Sequence, residues 1–234
     1  MSAGTISPQG DLVHQIFRPR VSPWPAATDR GAVLEHGLPR PGLSPEVNFW
    51  RAKNQRHLLR GWRRIAAARV LGVPTYYGAL WVTVRRGATG EVVPYGLASL
   101  RVVTTAGVNK IVSVLNTADA VTAVNFKFHG YGTGVTAEAA ADTALVTELT
   151  TQYNPDNTRP TGTQTVGGAS NIYRTVATMT PDSGGSIVLR EHGIFSANTA
   201  GTLLDRSLFA AITLDSTLGD SIQTTYDLTL PAGS

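Results

Sequence analysis

The 234-residue sequence contains no cysteine, which excludes disulfide frameworks, thiolate zinc sites and cysteine nucleophiles together. Lysine is scarce, with three residues against seventeen arginines, so nearly every cation is a guanidinium suited to bidentate pairing with carboxylate or phosphate. Long apolar runs are missing too. The most apolar window, residues 65–84, is broken by Arg69 and Pro74 and predicts no membrane span. The first residues have no basic stretch followed by an apolar core, so no secretory signal is expected.

Catalytic and metal signatures are equally scarce. The histidines His14, His36, His57, His129 and His192 show no metal-ligand spacing. No G-x-S-x-G elbow is present. The glycines of residues 130–134 have neither dinucleotide-fingerprint nor P-loop spacing and read as a tight turn. Glu191 and His192 are adjacent on a predicted strand and therefore face opposite sides, which argues against an acid–base pair. Asp142, Glu148, Asp205 and Asp220 read as turn or cap residues. No enzymatic activity, cofactor or metal is expected.

What is present is an asymmetric charge. Up to Val73 there are eleven basic and four acidic residues, a net +7, whereas the remainder carries −3. Prolines 8, 19, 23, 25, 39 and 41 punctuate residues 1–43, and each removes a donor and pushes its predecessor to extended geometry. This region reads as an extended arm with apolar anchors. Phe17, Arg18, Arg20 and Trp24 are its candidate partner-binding residues. The arm gains order by lying on a surface, either that of another chain or that of its own domain.

Residues 44–72 read as one basic amphipathic helix. Ser44 can cap it, Pro45 suits the first helical position, and Glu46 complements the dipole. Gly61 weakens its middle. Its cations Arg51, Lys53, Arg56, Arg60, Arg63 and Arg64 form the candidate partner-binding face. An acidic protein surface, packaged nucleic acid and a plain solvated face all fit this pattern.

From residue 76 the hydrophobic period becomes two. Residues 80–93 read as one hairpin, and 97–104 with 110–115 as a second, so that hairpins fill 76–115. A short helix is expected within 137–149, where Ala139, Ala140 and Ala141 favour it. Strands follow to residue 230, the cleanest being Ile222, Thr224, Tyr226 and Leu228 alternating with Gln223, Thr225 and Asp227. The expected architecture is mainly β. An antiparallel β-sandwich or barrel-like domain over 73–234, with its sandwich over 121–230, follows the arm and the helix.

Four segments carry a family resemblance: RVVTTAGVNKIV (101–112), FKFHGYGTGVTAEAAADTALVTELTTQYNPDNTRPTGT (126–163), EHGIFSANTAGTLLDRSLFAAITL (191–214) and SIQTTYDLTLPAGS (221–234). Residues 75–234 thereby resemble virion structural proteins of tailed bacteriophages; residues before 75 lie outside the resemblance. It implies a virion component assembled in the host cytoplasm, and a capsid-associated decoration, cement or head-vertex protein is the first expectation. A tail or neck part and a carbohydrate-binding module are the alternatives. The expected partners are the major capsid protein or other virion subunits, with self-association into a homo-oligomer. Nucleic acid is a weaker candidate, and no membrane is expected.

Overall fold

The computed structural model describes residues 30–71, 76–115, 125–167 and 169–230. Three helices and eight strands run in the order α1 (Arg30–Gly37), α2 (Pro45–Val70), β1 (Tyr77–Arg85), β2 (Val92–Val102), α3 (Thr105–Leu115), β3 (Phe128–Gly132), β4 (Thr163–Val166), β5 (Ile172–Met179), β6 (Ser186–Phe195), β7 (Leu203–Asp215) and β8 (Ser221–Thr229). The strands form two antiparallel sheets, ordered β2-β1-β8-β5-β4 and β3-β6-β7. The sheets face each other without closing into a barrel, so the mainly-β sandwich reading holds.

Alternation places the core. On β1, Leu80, Val82 and Val84 point between the sheets; on β8, Ile222, Thr224, Tyr226 and Leu228 are the buried set. Leu80, Val82, Val84 and Ile222 meet Ile187 and Leu189 of β6, Phe209, Ile212 and Leu214 of β7, and Tyr131 of β3, whereas Tyr226 and Leu228 pack with Ile194 and Leu204. Each such side chain, once withdrawn from water, contributes roughly 1.5–3 kcal/mol.

Helix α2 is part of this fold rather than an appendage. Ser44 caps it as its sequence predicts, accepting from the Val47 N–H at 3.3 Å. Val47 and Trp50 enter the inter-sheet core, whereas Leu58 and Ile65 pack with Tyr77, Ala79, Leu97, Leu100 and Ile172 on the other side of the five-stranded sheet. The helix thus wraps over the β2 edge. It also closes the seam between β2 and β7. Opposite β6, β7 carries two extra residues between Leu208 and Ile212, a bulge that brings Ala210 out of the ladder. Asn54 Oδ1 accepts from the Ala210 N–H at 2.8 Å, and Trp50 Nε1 donates to the Ala210 carbonyl at 2.9 Å. Asn54 Nδ2 donates to the Ala98 carbonyl of β2 at 2.7 Å, so one amide joins the edges of both sheets.

Gly61 has a packing reason. A Cβ there would stand 1.7 Å from the Leu100 carbonyl oxygen, so the helix approaches β2 only because the side chain is missing. Propensity alone would make Gly61→Ala stabilising by about 1 kcal/mol. Here we expect a net loss of at least about 2 kcal/mol from overpacking against backbone, read as a lower urea midpoint.

Four expectations need correction. The second hairpin is absent, because residues 105–115 are helical. Thr104 caps that helix, its Oγ1 accepting from the Gly107 N–H at 3.0 Å, and Val108 and Ile111 face an apolar cluster with Leu204 and Tyr226. No helix forms in 137–149; side chains hold this segment instead, as described below. Gly130 and Gly132 belong to β3 rather than to a turn. Residues 30–37 are helical where an extended arm was expected, in the proline-free window between Pro25 and Pro39. Val33 is buried with Leu58 and Leu97, so this part of the arm region lies on its own domain.

Candidate functional site

The 3.6-residue period divides α2 into two faces. Trp50, Arg51, Asn54, His57, Leu58 and Ile65 turn inward. Lys53, Arg56, Arg60, Arg63 and Arg64 lie together on the opposite side, all exposed. Arg60 reaches Glu138 at 3.7 Å with its side chain 43% exposed, an ion pair worth little in water. Lys53 Nζ sits 4.0 Å above the Phe49 ring, which is itself exposed. Among the described residues, Arg56, Arg63 and Arg64 have no carboxylate partner.

Arg51 is a correction to the predicted basic face. It is only 4% exposed, and its guanidinium serves the chain itself. Its Nε donates to the Tyr95 carbonyl at 2.9 Å, and its Nη1 donates to the Glu35 and Leu38 carbonyls at 3.1 and 3.2 Å. Arg51 therefore ties the end of α1 and the β2 edge to α2. Burial pulls its pKa down to about 10, which still leaves it charged at pH 7. The arm anchors Phe17, Arg18, Arg20 and Trp24 lie outside the described residues.

The interior of the sandwich is unexpectedly polar. His129 of β3 and His192 of β6 are fully buried, with Nδ1 of the first 3.0 Å from Nε2 of the second. Thr224 Oγ1 lies 2.9 Å from His129 Nδ1 and 2.8 Å from the Tyr131 hydroxyl, and Thr175 Oγ1 lies 3.2 Å from His129 Nε2. Burial holds His129 down to about pKa 3, and burial together with His129 holds His192 well below the ordinary value. Both rings are neutral at pH 7. Neither reaches solvent, so the pair stands as a polar element of the core.

Asp205 is a further correction, since it sits in β7 and not in a turn. It is completely buried; Ser207 donates to its Oδ1 at 2.9 Å, while its Oδ2 and the nearby Tyr226 hydroxyl have no hydrogen-bond partner among the described residues. Burial raises its pKa to about 7.

Glu191 and His192 do face opposite sides. His192 enters the inter-sheet core, and Glu191, also fully buried, organises residues 133–147. Its Oε1 accepts from the Gly134 and Thr147 N–H groups at 3.1 and 2.8 Å, and its Oε2 from Val146 N–H at 3.2 Å and Arg206 Nε at 2.9 Å. A Cβ on Gly134 would stand 2.4 Å from Glu191 Oε1, which explains that glycine by close approach. Arg206 goes on to Asp142 at 3.1 Å and to the Thr136 carbonyl at 2.9 Å.

Sequence alternation could have placed His192, Thr224 and Asp205 on the inward face and Glu191 on the opposite one, but it carried no sign of which polar groups would meet. Among the described residues, no group of three or more histidine, aspartate or glutamate side chains is placed to hold a metal ion. Nor is any described helix long and apolar enough to cross a membrane. What this site offers to another molecule is a rigid cationic surface. No protein-family model and no curated protein matches the chain.

Proposed function

We propose that this chain is a non-enzymatic structural component of a tailed-bacteriophage virion, a capsid-associated decoration, cement or head-vertex protein that binds neighbouring subunits. One observation carries the reading. Lys53, Arg56, Arg60, Arg63 and Arg64 project from one side of a helix whose other side is locked into the sandwich by Trp50, Arg51 and Asn54. With the helix backbone already held, docking orders only the side chains, so the spacing of the charges is preset and favours register. The resemblance of residues 75–234 to virion structural proteins supports the same reading. The arm, with Phe17, Arg18, Arg20 and Trp24, adds contact area, and repetition on a symmetric shell adds avidity.

Exchanging Lys53, Arg56, Arg63 and Arg64 for glutamate tests this. All four side chains are exposed, so the variant should fold with an unchanged circular dichroism spectrum. Its content in purified particles should fall by about tenfold or more, since like-charge juxtaposition costs several kcal/mol across an interface. Deleting residues 1–29 should lower incorporation as well. The deletion must stop there, because Val33 and the Glu35 and Leu38 carbonyls belong to the packed domain. Normal incorporation of the folded charge-reversed chain would refute the proposal. Counting copies per particle separates a place on the shell from one on the tail axis.

A further inference from the structure

A cleft of about 90 Å³ opens between α2, the β7 bulge and the loop after β3. Its cationic lining comes from Arg56 of α2 and Arg190 of β6; Val135, Leu208 and Ala211 are among its apolar walls. Among the described residues, neither guanidinium has a carboxylate partner. The nearest acids in the architecture are already committed. Glu191 is filled by three backbone N–H groups and Arg206, and Glu138 is held by Arg101 and by the Leu208 N–H at 2.8 Å.

His57 lines the cleft as well. His57 is 9% exposed, and its Nε2 lies 3.3 Å from Arg56 Nε, which donates to it. Burial, Arg101 and Arg56 lower its pKa to about 4, so the ring is neutral at pH 7. With Nε2 accepting, the hydrogen must sit on Nδ1, a buried atom with no hydrogen-bond partner among the described residues. With Arg56 Nε committed to His57, its terminal N–H groups and those of Arg190 remain, among the described residues, to meet a ligand in the cleft.

Resting on the reading that the basic face of α2 meets an acidic protein, we propose that this cleft is the socket for one glutamate or aspartate side chain of that partner. Arg56 and Arg190 would grip its carboxylate between them. The apolar walls favour a carboxylate on a methylene stem over a free phosphate, which would leave Val135, Leu208 and Ala211 facing a fully hydrated ion. The bulge in β7 gains a second role here. The bulge residues Phe209, Ala210 and Ala211, which let Asn54 and Trp50 capture Ala210, also line the cleft.

The test uses the full chain, labelled with nitrogen-15, and a short blocked peptide bearing a single glutamate. Its glutamine counterpart and inorganic phosphate serve as comparison probes. The glutamate peptide should move the amide signals of Gly134, Val135 and Ala211 at concentrations up to about 10 mM, the weak range expected for a one-residue ligand. Arg190→Gln should weaken that binding about tenfold, the loss of one bidentate partner, whereas Arg63→Gln on the outer face should leave it unchanged. Equal shifts with the glutamine peptide, tighter binding of phosphate, or no shift at those amides would each overturn the proposal. Particle incorporation separates this failure from that of the broader reading. If Arg190→Gln binds no peptide differently while charge reversal on α2 still abolishes incorporation, the socket fails and the docking surface stands. If the peptide binds here but the reversed chain, which also lacks Arg56, still enters particles, the cleft takes a carboxylate but the partner reading falls.

Discussion

Acidification from pH 7 to about pH 4.5 is expected to remove on the order of 5 kcal/mol of folding stability, a large share of the 5–15 kcal/mol typical of a domain. The cause is three buried neutral histidines. His57, His129 and His192 have pKa values lowered from 6.5, the first two to about 4 and about 3, chiefly by burial. In the unfolded chain each titrates near its ordinary value. Their contribution is therefore fully present above pH 6.5 and is lost as pH falls towards the folded values. At about 1.4 kcal/mol per pH unit and per group, His57 and His129 lose about 5–6 kcal/mol over two units, and His192 adds to the loss in the same direction. Asp205 works the other way. Its pKa is raised from 3.8 to about 7, so the fold holds its proton more tightly than the unfolded chain does. That contribution is present below pH 3.8 and lost as pH rises through 7, and acidification returns about 3 kcal/mol of it. Urea unfolding followed between pH 7.5 and 4.5 checks the sum. A flat midpoint across that range would show that the histidines are not buried as neutral groups. Asp205→Asn removes the counterweight, so that variant should be more stable than the parent above pH 7 and should lose stability more steeply in acid.

Glu191→Ala should be nearly as damaging at neutral pH, with a loss of about 4–5 kcal/mol. The substitution leaves three backbone donors, those of Gly134, Val146 and Thr147, without their acceptor. It also leaves Arg206, 2% exposed, with Asp142 as its remaining acidic partner. A buried charge stripped of one partner costs several kcal/mol, and unsatisfied N–H groups add to it. Glu191→Gln keeps one acceptor oxygen but presents an NH₂ group to a donor, so its loss should be intermediate. Hydrogen exchange locates the damage: amides of residues 133–147 should lose protection first, ahead of β1 and β8. Uniform loss over the whole domain would show that Glu191 does not act through this loop.

The strands were legible because their two-residue period is unbroken. On β8, Ile222, Thr224, Tyr226 and Leu228 take the inward positions that alternation assigns them. The start of α2 was equally plain, since serine, proline and glutamate occupy the positions that helix-end chemistry demands. The errors have physical causes. Residues 108–115 carry β-branched residues in an order compatible with either period, and the Thr104 cap that decides for helix is a single hydroxyl. Three consecutive alanines at 139–141 favour helix, yet Glu191, Arg206 and Asp142 hold the flanking backbone in another shape. The cationic face was visible as composition, but the inward turn of Arg51 was not, because its ligands are carbonyls from α1 and β2. The polar core escaped notice for a related reason. Alternation says that Thr224 and His129 point inward but not that they point at each other across two sheets.

The way α2 wraps the β2 edge gives the molecule a handed outline. With Tyr95, Ala98 and Ala210 taken by helix side chains, hydrogen-bonding groups on that flank are spent. At the opposite end of the five-stranded sheet, β4 is terminal and all four of its residues are exposed. Lateral extension of that sheet by an incoming strand is thus directed to β4, away from the cationic helix. Backbone pairing at β4 and the proposed docking through the cationic helix would therefore use different flanks.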